Sequence, residues 1–241
     1  MPRPTLTCTM LLLASAMLAP AASAADGQCS LRSTAQPPAI VELYTSEGCS
    51  SCPPADRWLS TLKGRSDVIA LAFHVNYWDR LGWPDRFATP AITERQHQQA
   101  QSSGSSYVYT PQVLHNGRDW RQWSGSAPAR LPVSNVALTL TRDGNTVTAS
   151  IGPGSDRLAG YWAVLEDGHS SRVKAGENAG ETLKHDHVVT LYKPVEAWVA
   201  RDATRSLTLA LPAASATARR VVFVVTDATS QRPVQALALG C

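Results

Sequence analysis

Two cysteines separated by two residues, Cys49-Ser50-Ser51-Cys52, fall between an apolar run and an amphipathic segment, and this junction constrains the chain more than any other feature. The run Ala39-Ile40-Val41-Glu42-Leu43-Tyr44 is rich in β-branched and aromatic residues and ends in the turn-forming Ser46-Glu47-Gly48, as a buried strand does. After Cys52 come Pro53 and Pro54, which a first helical turn tolerates. Ala55, Trp58, Leu59 and Leu62 then share one helical face, until Lys63-Gly64 stops the helix. A second continuous apolar run, Asp67-Val68-Ile69-Ala70-Leu71-Ala72-Phe73-His74-Val75, has the texture of a central parallel strand covered on both faces. Strand, helix and strand make one βαβ unit, with the cysteine pair at its first junction.

Beyond this unit the texture changes. Residues 76–88 form an aromatic loop with Tyr77, Trp78 and Trp83, residues 90–101 read as a helix, and Asn116-Gly117 signals a two-residue hairpin. From Val133 onward about seven short strands recur between turn signals, near residues 136–142, 145–151, 161–166, 188–192, 207–211, 219–226 and 234–239. The expectation is an α/β domain over residues 25–130, carrying the helical and aromatic insertion, followed by an all-β, sandwich-like domain over residues 131–241.

The N-terminus carries Arg3, an apolar run from Met10 to Ala19, and then Ala22-Ser23-Ala24. A charged start, a run too short to span a bilayer and small residues at its end are the marks of a secretory signal peptide over residues 1–24. The mature protein is therefore expected in the periplasm or outside the cell, without stable membrane insertion. Its loss removes Cys8 and leaves an even set of Cys29, Cys49, Cys52 and Cys241. Four cysteines allow three connectivities, of which a structural disulfide from Cys29 to Cys241 is the natural one, with Cys49 paired to Cys52. A hydrophobic content of 44% with a net charge of only +3 over 241 residues argues against disorder and against a nucleic-acid partner.

At a strand-to-helix junction, free N–H groups and the helix dipole favour a thiolate, which makes the first cysteine a nucleophile. Cys49 is expected to attack and Cys52 to resolve the resulting mixed disulfide. A zinc site would need a second close pair of ligands, which the sequence lacks, so neither metal nor cofactor is expected. A fixed structural disulfide uses the same two residues and stands as the rival reading.

This arrangement resembles the thioredoxin superfamily, in which a strand leads to C-x-x-C at a helix start and a cis-proline faces the disulfide. The resemblance implies a thioredoxin-like first domain, a cis Pro111 in Tyr109-Thr110-Pro111-Gln112, and a Thr110 backbone able to pair with an extended partner. Proline between the cysteines is absent, with Pro53-Pro54 just after them instead. The superfamily's buried acid has no counterpart at the matching position. Glu42, one residue earlier on the strand, is either the buried proton acceptor or simply paired. The blocks Val41-Glu42-Leu43-Tyr44-Thr45-Ser46-Glu47-Gly48, Phe73-His74-Val75-Asn76-Tyr77-Trp78-Asp79, Leu81-Gly82-Trp83 and Gly176-Glu177-Asn178 resemble those of a secreted bacterial thioredoxin-like family known as domain of unknown function 1223.

Three functions follow as expectations. The first is thiol-disulfide exchange with protein thiols and disulfides outside the cytoplasm, with Tyr77 and Trp78 as an apolar platform for the partner. The second is a non-catalytic binding module whose C-x-x-C is structural. The third is a Cu(I) carrier using Cys49, Cys52 and His74, soft thiolates being suitable ligands. His185 and His187 read as exposed residues on one face of a strand.

Overall fold

The computed structural model describes residue 1 and residues 28–154, 156–201, 204–213 and 217–241. Apart from Met1, the expected signal peptide, with Cys8, lies outside them. In chain order the elements begin with β1 (Cys29–Arg32), β2 (Ala39–Thr45), α1 (Pro53–Ser60), β3 (Val68–His74), α2 (Pro90–Ser102), β4 (Gln112–His115) and β5 (Arg118–Asp119). There follow β6 (Leu138–Asp143), β7 (Thr146–Ile151), β8 (Arg157–Glu166), β9 (His169–Arg172), β10 (Thr182–His185), β11 (Val188–Val199), β12 (Arg205–Ala210), β13 (Arg219–Asp227) and β14 (Pro233–Leu239).

The βαβ unit forms as the apolar runs require: β2 and β3 pair in parallel from Ala39 opposite Val68 to Thr45 opposite His74, joined by α1. Asn116 and Gly117 both adopt positive φ, 52° and 74°, as a hairpin turn between β4 and β5 demands. Thr89 caps α2, its side chain accepting from Ile92 N, and Pro90 opens the helix.

The expected α/β thioredoxin-like domain followed by a separate sandwich is corrected by the sheet order. Strands from both parts lie in one eight-stranded sheet, β14-β13-β8-β11-β3-β2-β4-β5, with a four-stranded sheet, β1-β6-β7-β12, and the β9–β10 pair beside it. Strand accounts for 42% of the described residues against 11% helix, with two α-helices. β11 supplies the crossing, docking parallel to β3 at Val188 opposite Ala72 while pairing antiparallel with β8. The cause lies in what apolar patterns encode: a continuous run in β3 specifies that both faces are buried but not which strand takes its free edge.

Period-two alternation then divides the core. On β2, Ile40 and Tyr44 join Phe73, Ile92, Tyr161, Leu165 and Val222 on one face of the large sheet. On the other, Val41 and Leu43 pack beneath Ala55 and Leu59 of α1. Trp162 and Val164 of β8 face that second side and meet Leu140, Val147, Ala149 and Leu209 of the small sheet. The large sheet is thus covered by α1 at one end and by the small sheet at the other.

Cys29 on the small sheet and Cys241 just beyond β14 form a disulfide, with Cα atoms 6.6 Å apart across 212 residues of chain. The same junction is held by Arg142, whose guanidinium donates to the Cys241 carbonyl. Closing so long a loop restricts the unfolded chain. Replacing both cysteines by serine is expected to lower unfolding free energy by about 2–5 kcal/mol, measured by urea denaturation under oxidising conditions.

Candidate functional site

Cys49 and Cys52 form the second disulfide, with Cα atoms 5.4 Å apart. β2 ends at Thr45, residues 46–49 turn with Cys49 N donating to Ser46 O, and Cys52 caps α1. Both cysteines are 0% exposed, whereas Ser50 and Ser51 between them face solvent. Ser51 Oγ lies 3.4 Å from Cys49 Sγ.

Four residues beyond Cys52, hence on the same side of α1, is Asp56, a buried carboxyl that accepts from Thr45 Oγ1 at 3.1 Å. Burial pushes its pKa up, against the pull of His74, His185 and the Thr45 hydroxyl. A cleft of about 170 Å³ between α1 and β10, lined by Pro53, Asp56, Arg57 and residues 182–185, gives this carboxyl a route to water.

Behind Asp56 lies a buried polar cluster. His74, at the end of β3, places Nδ1 2.7 Å from Asp85 Oδ2, and its ring stacks edge-on against His185 at 5.0 Å between centroids. Asp85 also accepts from Glu47 N and Phe87 N. Glu47 accepts from Trp83 Nε1 at 2.7 Å and lies 3.4 Å from His185 Nε2. Burial opposes the charge on His74, but Asp85, and more weakly Asp56 and Glu47, raise its pKa above the ordinary value. Burial likewise works against the Asp85 carboxylate, yet His74 and the backbone donors hold it below the usual range.

The neighbouring loops close round the turn. Trp78 Nε1 donates to Thr110 Oγ1 at 2.8 Å, and the Tyr77 ring centroid lies 6.3 Å from that of Trp78. The Thr110–Pro111 bond is cis, and Pro111 stands just before β4, whose Gln112 pairs with Tyr44, so it lies at the sheet end where the cysteine turn emerges. From the far part of the chain, Asn178 Nδ2 donates to the carbonyls of Glu47 and Cys49 at 2.9 and 3.0 Å. Glu177 Oε2 accepts from Ser50 N and Ser50 Oγ at 3.0 and 2.8 Å.

Of the residues expected from sequence, Cys49, Cys52, Thr110, Pro111, Tyr77 and Trp78 come together at this end of the sheet. Glu42 does not. It points to the opposite face of β2, where it pairs with Arg95 Nη2 at 2.5 Å and accepts from the Tyr161 hydroxyl. It is the paired residue, and Asp56 is the acid on the cysteine side. Asp56 was legible in principle, because its i+4 spacing from Cys52 on a helix puts the two on one face. The expected exposure of His185 and His187 is corrected as well. Both are buried, and the chain turns between β10 and β11, with His187 at φ 58°. Among the described residues no group of three or more His, Cys, Asp or Glu side chains converges as metal ligands would.

A family model described as "Protein of unknown function (DUF1223)" matches residues 40–226, spanning the cysteine turn, the His74–Asp85 cluster and the Glu177–Asn178 loop. The chain belongs to this family. No curated protein matches it. The crystal structure of protein AGR_C_4864 from Agrobacterium tumefaciens is similar over 86% of this chain and 96% of its own, at 25% identity and a TM-score of 0.64. HBP35 of Porphyromonas gingivalis is similar over 84% of this chain and 74% of its own, at 13% identity and a TM-score of 0.59, a likeness of fold alone.

Two outcomes follow from the packing. A Cβ on Gly48 would stand 2.9 Å from Trp78 Cβ, so Gly48→Ala is expected to displace Trp78, shift its fluorescence and cost about 1–3 kcal/mol of stability. The buried histidines are expected to titrate in opposite directions. Burial and the adjacent Arg220 push His187 down to about 4, while His74 keeps its proton above its ordinary 6.5. Acidification from pH 6.5 towards 4 therefore removes stability through His187, which the unfolded chain protonates first. Stability from His74 is full below pH 6.5 and is lost as pH rises through its folded value. NMR titration of the imidazoles checks both directions.

Proposed function

We propose that the protein exchanges disulfides with extracytoplasmic protein partners through Cys49 and Cys52. The observation that carries this reading is the juxtaposition of the cysteine pair with Asp56, a buried carboxyl of raised pKa, one helical turn from Cys52. A merely structural bridge has no use for a proton acceptor there. Two disulfides in one chain fit an oxidising compartment. No helix among the described residues is long and apolar enough to cross a membrane.

In the reducing direction, the Cys49 thiolate attacks one sulfur of a partner disulfide. The Cys49–partner S–S bond forms, the partner's own bond breaks, and the released partner thiolate takes a proton from solvent. Asp56 accepts the Cys52 proton, directly or through water in the cleft. The Cys52 thiolate then attacks Cys49 Sγ, the Cys49–Cys52 bond forms, and the second partner sulfur leaves as a thiolate. Two electrons pass from the protein dithiol to the partner, and a small dithiol or a redox partner protein resets the pair. The oxidising direction is the same sequence reversed. Thr110, Pro111, Tyr77 and Trp78 form the half-buried surface against which an extended partner would lie.

The second reading, a fixed disulfide in a binding module, is favoured by the complete burial of both cysteines. The reduction potential separates the two. A value between about −120 and −270 mV supports exchange, and one below about −300 mV supports the structural bridge. Cys49→Ser is expected to abolish dithiol-dependent reduction of insulin. Asp56→Asn is expected to slow resolution by about 10²-fold near neutral pH, the scale of a lost general base, and to let trapped mixed disulfides on Cys49 accumulate. Unchanged activity in Cys49→Ser would sink the exchange reading.

A further inference from the structure

The loop between β9 and β10 reaches back over the cysteine turn with two contacts that differ in kind. Asn178 fastens the backbone carbonyls of Glu47 and Cys49 without adding charge. Glu177 adds charge. Its Oε2 takes both the N–H and the hydroxyl of Ser50, and these donors hold its carboxyl below the usual range, so it is ionised at neutral pH.

Ser50 directly follows Cys49. Its N–H and O–H are the next donors along the chain from the attacking sulfur, and both are turned to a carboxylate 127 positions away. A bound anion at this point consumes hydrogen bonds that a thiolate would use and sets a like charge one residue from it, which disfavours the thiolate. Arg80 is a cation whose charge acts on Glu177, while Asp56, His74, Asp85, Glu47 and His185 are the titratable groups behind the cysteines. Of these Glu177 is the one joined by hydrogen bonds to Ser50.

We propose that Glu177 is a positioning residue that clasps the Cys49 turn in its disulfide form and withholds the donors of Ser50 from a Cys49 thiolate. The clasp favours the oxidised pair twice over, by bracing the turn as it stands and by leaving the reduced sulfur the Ser51 hydroxyl, 3.4 Å away, without the donors of Ser50. A partner reaching Cys49 must first draw Glu177 off Ser50. The inference rests on the exchange reading for its meaning, but the clasp is measurable on its own.

The test compares wild-type full chain with Glu177→Gln and Glu177→Ala. Each is equilibrated against a series of reduced and oxidised glutathione, quenched in acid, alkylated and weighed. The alkylation rate of Cys49 in the reduced proteins is then followed from pH 5 to 9. Glu177→Gln keeps an oxygen to accept from Ser50 and removes only the charge. It is expected to shift the equilibrium three- to tenfold towards the dithiol, about 14 to 30 mV more positive, and to move the alkylation midpoint to lower pH. Glu177→Ala is expected to move both at least as far. A Glu177→Gln protein that matches wild type in both measurements overturns the inference, even where the wild-type potential lies within the exchange range. A wild-type potential below that range defeats the exchange reading instead, and the shift between variants still decides the clasp.

Discussion

The architecture depends on one parallel contact. Ala72 N, on β3, donates to the carbonyl of His187 at 2.8 Å, at the point where β11 enters the large sheet. Through this contact β3, which lies beside the strand that carries the cysteine turn, gains its second neighbour. The segments just before β11 are thereby fixed in space: β10 beside α1, His185 against Glu47 and His74, and the loop holding Glu177 and Asn178 over the turn. Without it the cysteines would still sit at a strand-to-helix junction, but Asp56 would lose a wall of its cleft and Ser50 its carboxylate.

The buried charges around the turn are costly in isolation and are retained in pairs. His74 with Asp85, and Glu42 with Arg95, are each almost wholly removed from solvent. Removing one partner of such a pair leaves an uncompensated charge, which typically costs about 3–5 kcal/mol, whereas the intact pair contributes little net stability. The two pairs lie on different sides of β2, a division set by the pleat. Glu42 and Tyr44 share the face of Arg95 and Tyr161, which leaves the α1 side to Asp56.

The local elements were readable in the sequence. The two apolar runs gave β2 and β3, the proline pairs and apolar spacing gave α1, and Asn116-Gly117 gave the hairpin, because each depends on residues close together in the chain. The sheet order was not readable, because period-two patterns specify faces and leave edges open. The same limit governs the site. Cys49, Cys52 and Pro111 carry a local signal. Asp85, Glu47, His185 and Glu177 gain their roles only from contacts made across 11 to 138 residues of chain. His185 and His187 misled because an i, i+2 spacing implies a shared face only in an extended segment, and the left-handed His187 breaks it.

Sharing one sheet between the earlier and later parts of the chain has a consequence for how the protein can be divided. A fragment ending before β6 would keep both cysteines, Asp56 and Pro111, yet it would present β3 as a bare edge of seven buried residues. Such an edge is a template for strand addition by another chain. The cysteine turn is therefore not a portable cassette. Its solubility and its surroundings are both supplied by residues translated more than a hundred positions later.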